Sequence, residues 1–216
     1  LARAAHDALG DRALAVTAVS ESLAPRELDE AKDLAARIGI EHRLEASSET
    51  TLPQYLVNDS NRCYHCKTEL YSICRRAAEE ADLAVIVNGL NTDDLTDHRP
   101  GNRAADEAGV RSPFVELGFD KTAIREHSER LGLPTATKPE LACLASRFPT
   151  GTPITIGGLE RVAAAEQVVA GLLDAVRDLH PAPDREGRWR RLWLPGEVGG
   201  DQGQHHAVQP VISPLM

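Results

Sequence analysis

The chain has 216 residues, and its 33 acidic side chains outnumber the 24 lysines and arginines for a formal charge of −9. That length fits one large domain or a domain with an appendage, and the acidic balance argues against a nucleic-acid backbone as main partner, because neutralising phosphates takes a basic surface. No apolar run is long enough to span a bilayer or to act as a secretory signal, so no membrane partner is expected, and four cysteines without such a signal point to a reducing cytoplasm.

Leu1 to Gly10 reads as a helix already under way, closed by a glycine and lacking an initiator methionine, so further sequence is expected ahead of it. Ala13 to Val19 is a short, nearly continuous apolar run, as a buried parallel strand requires. Pro25 marks a helix start, and Leu28, Ala31, Leu34, Ala35 and Ile38 recur at helical spacing before Gly39. A second strand is expected near His42-Arg43-Leu44. Lys67 to Ala81 reads as a helix with Leu70, Ile73, Cys74 and Ala77 on one face. Leu83 to Val87 follows as a buried strand, ending at Asn88-Gly89. Strands alternating with helices predict an α/β fold, a doubly wound parallel sheet whose ligands gather beyond the carboxyl ends of its strands. Asn88 to Arg99 holds that position.

Asp120 is placed to cap a helix carrying Ala123, Ile124, His127 and Leu131, which stops near Gly132 and Pro134. Lys138 to Thr152 is a turn-rich loop bearing Cys143, Ser146 and Arg147. Gly157 to Leu179 has a helical period through Leu159, Val162, Ala163, Val169, Leu172, Leu173 and Val176. Beyond Leu179, prolines, glycines and both tryptophans follow with no sustained period, and residues 180–216 read as a poorly ordered or loosely docked tail.

Three cysteines carry the sharpest chemical signal. Asn61-Arg62-Cys63-Tyr64-His65-Cys66-Lys67 supplies a C-x-x-C pair, and Ala142-Cys143-Leu144-Ala145-Ser146-Arg147 supplies a third thiol from far along the chain. Three thiolates with one position open suit a cubane iron–sulfur cluster used for chemistry. A zinc knuckle wants four protein ligands, and a thioredoxin-like pair wants the N-terminal end of a helix. The spacing leaves both open, together with incidental buried thiols. Cys74, on the apolar face of a helix, reads as a core residue. Asn91, Asp93, Asp94 and Asp97 form an acidic loop able to hold magnesium with a nucleotide's phosphates, or else a solvated turn. Arg99, beside Pro100-Gly101, and the pair Ser146-Arg147 are candidates for gripping a carboxylate or phosphate.

Several runs then occur in one order: Asn61 to Tyr71, Asn88-Gly89-Leu90-Asn91-Thr92-Asp93-Asp94-Leu95, Asp97-His98-Arg99-Pro100-Gly101, Arg111-Ser112-Pro113-Phe114, Gly132-Leu133-Pro134, Lys138-Pro139 and Ala142 to Arg147, continued by Gly151-Thr152-Pro153-Ile154-Thr155. Together they resemble the LarE family, ATP-dependent sacrificial sulfur transferases of the PP-loop pyrophosphatase superfamily, over roughly residues 1 to 170. The resemblance implies a partial ATP-pyrophosphatase domain at 1–150, the start of a substrate domain at 151–179 and a divergent segment at 180–216.

It also implies ATP and Mg2+ as cofactors and a small nucleotide as substrate. ATP adenylates a carboxylate of a pyridinium-3,5-dicarboxylate mononucleotide, and a sulfur nucleophile displaces AMP, on the way to the nickel-pincer nucleotide cofactor of lactate racemase. In single-cysteine members the residue matching Cys143 gives up its own sulfur and becomes dehydroalanine. Members with three cysteines resemble cluster enzymes, so Cys63, Cys66 and Cys143 are expected to hold a 4Fe–4S cluster. Gly89, Asn91, Asp94 and Arg99 are expected along the nucleotide edge, and Ser146 and Arg147 on a phosphate. The family's assemblies make a homo-oligomer an expectation as well. Its glycine-rich SGGVDS-type loop and the strand before it have no counterpart in these residues, so phosphate binding is expected to be weak. Two rivals stand beside this reading. One is a cluster-dependent tRNA thiolase, which the acidic charge opposes; the other is a non-catalytic metal-binding or redox module.

Overall fold

The computed structural model describes residues 1–96, 100–139 and 141–179. Helix α1 (Ala2–Leu9) closes at Gly10, and strand β1 (Leu14–Val19) follows after a single 3-10 turn. Helix α2 (Pro25–Ile38) carries its proline in the first turn, where no backbone N–H is needed, and stops at Gly39 with φ 84°. Strand β2 (Glu41–Ala46) then lies parallel to β1, with Leu14 opposite Glu41 and Val19 opposite Ala46. Ala13, Ala35, Ile38 and Ile40 form a small core beneath this unit, with Ala2, Ala5 and Leu34 packed against it.

A short helix α3 (Pro53–Leu56) leads into the long α4 (Arg62–Glu80). The helix opens at Arg62 rather than at the expected Lys67, so the C-x-x-C lies within it rather than ahead of it. Tertiary hydrogen bonds of Arg62, described below, set that start, and hydrophobic periodicity carries no trace of them. Tyr71, Ile73 and Ala77 are buried along α4, and Cys74 is half-buried beside them. Helix α5 (Pro100–Glu107) packs on α4 through a core of Tyr71, Ala104, Ala105 and Val110. The two helices approach so closely that a Cβ on Gly101, in the first turn of α5, would stand 2.9 Å from Lys67 Cγ. Helices α6 (Pro113–Glu116) and α7 (Lys121–Arg130) follow, the latter capped as expected by Asp120, whose Oδ1 accepts from Ala123 N at 2.7 Å. The last helix, α8, spans Ile156–Leu179.

The expected strand at Leu83 to Val87 does not form. That segment makes one bridge, Val87 to Arg111, in which Arg111 N donates to Ile86 O and Asn88 N to Arg111 O, both at 3.0 Å. Val85 and Val87 are 54% and 41% exposed, so the expected burial is absent too. Among the described residues the sheet has two strands, β1 and β2, and not the wider doubly wound set. One cause serves both differences. Apolar runs of this kind suit strands flanked on both edges, and no described strand lies against the second edge of β1. All six β1 residues accordingly remain only half-buried.

Packing divides the chain into two units, Leu1–Val169 and Ala170–Met216. Of the second, only the end of α8 is described, where Leu172 and Leu173 are largely exposed. The expected tail at 180–216 lies outside the described residues, as do Asp97, His98, Arg99 and Glu140. No described helix is long and apolar enough to cross a membrane.

Candidate functional site

Two polar segments mark the carboxyl ends of the parallel strands: Ser20-Glu21-Ser22 after β1 and Ser47-Ser48-Glu49 after β2. Leu144 N donates to Ser22 O at 3.0 Å, which pins the Cys143 loop just past the end of β1. Leu144 and Ala145 open the 3-10 turn Leu144–Arg147 and are buried with Tyr55, Ile154 and Leu159; Cys66 packs against the same core. Burying a leucine of this kind contributes about 1.5–3 kcal/mol. That anchorage fixes the backbone beside Cys143, whose own side chain stays exposed, as does that of Cys63.

A clamp joins the Cys143 loop to the start of α4. Asn58, fully buried with φ 56°, donates through Nδ2 to Pro149 O and Thr152 O, each at 2.9 Å, while its main-chain O accepts from Gly151 N at 2.8 Å. Its Oδ1 accepts from Arg62 Nη1 at 2.7 Å, and the same nitrogen donates to Ala145 O at 2.8 Å. Arg62 Nη2 reaches Cys63 Sγ at 3.9 Å. One guanidinium therefore touches both cysteine segments.

Glu49 is the polar hub below. It is 5% exposed; its Oε1 accepts from Ser20 Oγ at 2.7 Å and from Ser22 Oγ, and its Oε2 from Ser47 Oγ at 2.8 Å. The Cys66 thiol also points to Oε2, at 3.7 Å. Burial first, and then the charge of Glu49, push the Cys66 thiol up to about 12; Lys67 opposes this, and Cys143 and Cys63 add to it. Cys63 and Cys143 therefore both lie within electrostatic reach of Cys66. Alkylation checks this ordering. With iodoacetamide at pH 8, peptide mass mapping should find the exposed Cys63 and Cys143 labelled first and Cys66 well behind them, because burial and Glu49 keep its thiol protonated. Labelling of Cys66 as fast as Cys63 would show that it is neither buried nor held beside Glu49.

The other expected residues fall in a second place. Gly89, Asn91 and Asp94 line a cavity of about 360 Å3 together with Lys121, Arg125 and Lys138. Asn91 and Asp94 are buried; Asn91 Nδ2 donates to Asp94 Oδ2 at 2.7 Å, and Lys121 Nζ stands 3.6 Å from Asp94 Oδ1. Asp93 Oδ2 accepts from Lys121 N at 2.9 Å. Leu141, also on the cavity wall, precedes Cys143 by two residues. Ser146 donates to Cys143 O at 2.7 Å and so shapes the turn, while Arg147 Nε pairs with Glu166 Oε1 at 2.6 Å. Arg99 lies outside the described residues.

Among the described residues no three His, Cys, Asp or Glu side chains converge on one point as ligands of a single metal ion. In the Asn91 loop, Asp93 and Asp94 are both engaged with Lys121, and Asp97 lies outside the described residues. For the cysteines the donor chemistry decides differently. Three thiols are iron–sulfur ligands by donor type, and in a cubane each thiolate meets its own iron rather than a shared point; the Glu49 carboxylate stands beside one of them, 3.7 Å from Cys66 Sγ. Cys63, Cys66 and Cys143 therefore fit that group by donor type.

Tyr55, Asn58, Arg62, Glu49 and the three serines were not legible as site residues by motif. The serines and Glu49 had one usable signal, their position directly after two strands, where open α/β sheets gather function. The described residues form an α/β arrangement with the Cys143 loop at the carboxyl end of β1 and a polar cavity lined by Gly89, Asn91 and Asp94. The chain is similar to pyridinium-3,5-bisthiocarboxylic acid mononucleotide synthase of Lactiplantibacillus plantarum, 34% identical over 78% of this chain and 61% of that protein. It is 46% identical over 77% of its length to an uncharacterized protein of Synechocystis, of which it covers 62%. An uncharacterized protein of Methanocaldococcus jannaschii is 32% identical over 54% of the chain and 45% of its own length. The chain thus spans less than two thirds of each of these relatives. No family model matches it.

Proposed function

We propose that this chain is part of a LarE-family sulfur transferase, one that turns an adenylated carboxylate of a pyridinium-3,5-dicarboxylate mononucleotide into a thiocarboxylate during assembly of the nickel-pincer nucleotide cofactor. What supports this reading is the similarity to a bisthiocarboxylic acid mononucleotide synthase, together with a Cys143 loop pinned past the end of β1 and the electrostatic influence of Cys63 and Cys143 on Cys66.

In this reading a substrate carboxylate oxygen attacks the α-phosphorus of ATP and pyrophosphate leaves. The acyl carbon of the mixed anhydride then accepts a sulfur nucleophile; the C–S bond forms, the C–O bond breaks, and AMP departs with the electron pair. In this reading Cys63, Cys66 and Cys143, the last exposed on its turn, would hold a 4Fe–4S cluster, and that cluster would supply the sulfur that is transferred. Gly89 and Asn91, with Lys121 and Arg125 on the same cavity, are assigned to the nucleotide, and Arg99, Ser146 and Arg147 to its anionic groups. Magnesium enters with ATP, and no step is assigned to it at the Asn91 loop. Free thiols of this kind suit the cytoplasm.

The test is direct. The chain is supplied with ATP, magnesium and the dicarboxylate mononucleotide, and the products are read by mass spectrometry. Exchange of one carboxylate oxygen for sulfur, with AMP and pyrophosphate in equal amounts, is the expected result. Thiolation of tRNA in its place overturns the substrate.

A further inference from the structure

Tyr55 is 1% exposed, and its hydroxyl is a buried polar atom with no hydrogen-bond partner. Its ring belongs to the apolar core under the Cys143 turn, with Leu144, Ala145, Ile154 and Leu159. The hydroxyl end meets another environment. Burial drives the phenol up, Ser22 eases that rise, and charge on Glu49, Cys143 and Cys66 adds to it. Ser22 stops short of hydrogen-bond geometry with Tyr55 and has turned its own proton to Glu49. The phenol therefore keeps its proton throughout the neutral range, and no group stands in hydrogen-bond geometry to accept it.

We propose that the Tyr55 hydroxyl is the hydrogen-bond donor to the anionic sulfur held at Cys66 and Cys143 when the site is occupied. The inference rests on reading these thiols as the sulfur site. Other groups nearby cannot fill the role: Glu49 as a carboxylate only accepts, and Ser20, Ser22 and Ser47 are committed to it. An orphaned buried hydroxyl is a standing cost to the fold, and a ligand sulfur removes that cost by accepting its proton. Donation to a coordinated thiolate or sulfide also withdraws negative charge from it, which raises the reduction potential of an iron–sulfur group.

Tyr55→Phe removes the oxygen and keeps the ring. In the unloaded chain the variant is expected to hold its Tm or raise it by about 2–4 °C. A fall of that size would give the hydroxyl a structural partner and overturn the proposal. After anaerobic loading with iron and sulfide, the variant should bind as much iron as the wild type at a lower reduction potential; equal potentials overturn the proposal. If the wild type takes up no cluster, the cluster reading of the thiols fails by itself. Tyr55 is then decided with Cd2+ alone, through the tyrosine doublet in ultraviolet resonance Raman spectra of wild type minus variant. A change to a hydrogen-bond-donating phenol as Cd2+ binds the thiols supports the proposal, and an unchanged doublet overturns it.

Discussion

Cys143→Ala is expected to abolish thiocarboxylate formation, lowering turnover by more than about a thousandfold, while shifting stability by no more than about 0.5 kcal/mol. The two halves of that expectation come from different atoms. The sulfur is exposed and no structural hydrogen bond is assigned to it, so its removal leaves no cavity. The loop is held instead by Leu144 N on Ser22 O, by Ser146 on Cys143 O and by the burial of Leu144 and Ala145, all of which survive in an alanine variant. Cys143→Ser should fail equally, because a serine hydroxyl replaces neither a thiolate ligand nor a sulfur donor. Cys74→Ala is the control with the opposite pattern: half-buried on α4 and remote from the clamp, it should keep activity and lose about 1 kcal/mol. Product mass spectrometry beside thermal melts reads both quantities. Thiocarboxylate formed by Cys143→Ala at more than a tenth of the wild-type rate would remove Cys143 from the reaction. In the wild type, loss of the mass of one hydrogen sulfide from the protein would mark Cys143 itself as the source of sulfur, and an unchanged mass would mark delivery from a cluster.

What the sequence made legible follows from which interactions are local. Pro25 and Gly39 bracket α2 because one residue has a fixed φ and the other tolerates a positive one, and Asp120 caps α7 through its own side chain. Those signals act within a few residues and survive any change of surroundings. Leu83 to Val87 was misjudged for the opposite reason. Its apolar run states only that it suits a sheet interior, and whether a neighbour stands on each side is decided elsewhere in the chain. The start of α4 is a similar case, fixed by bonds from Arg62 to Asn58 and to Ala145, a residue on a distant loop. At the site, the cysteines were visible because thiols are rare and spaced by function. Glu49 was not, since one acidic residue among 33 carries no mark until its burial and its serine donors are seen.

Asn58→Ala is expected to cost about 3–4 kcal/mol of stability and to lower Tm by roughly 6–16 °C. The side-chain amide accounts for most of this. Its loss strands the Pro149 and Thr152 carbonyls and takes one acceptor from Arg62, at roughly 1 kcal/mol for each neutral bond and somewhat more for the charged one. The backbone adds to it, because φ at 56° lies in the left-handed region that asparagine tolerates and alanine resists by about 1 kcal/mol. Asn58→Gly separates the two parts, restoring the backbone share and none of the hydrogen bonds. Urea denaturation of the three proteins should rank them wild type, glycine, alanine. The functional consequence lies at the other end of the clamp. Pro149, Gly151 and Thr152 follow directly on the Cys143 turn, and Arg62 holds both Ala145 and the neighbourhood of Cys63. Loosening Asn58 frees Cys143 from the pair on α4, so iron uptake per chain should fall in both variants even where they remain folded. A loss below about 1 kcal/mol with iron uptake intact would mean that the burial of Leu144 and Ala145 alone fixes the third thiol.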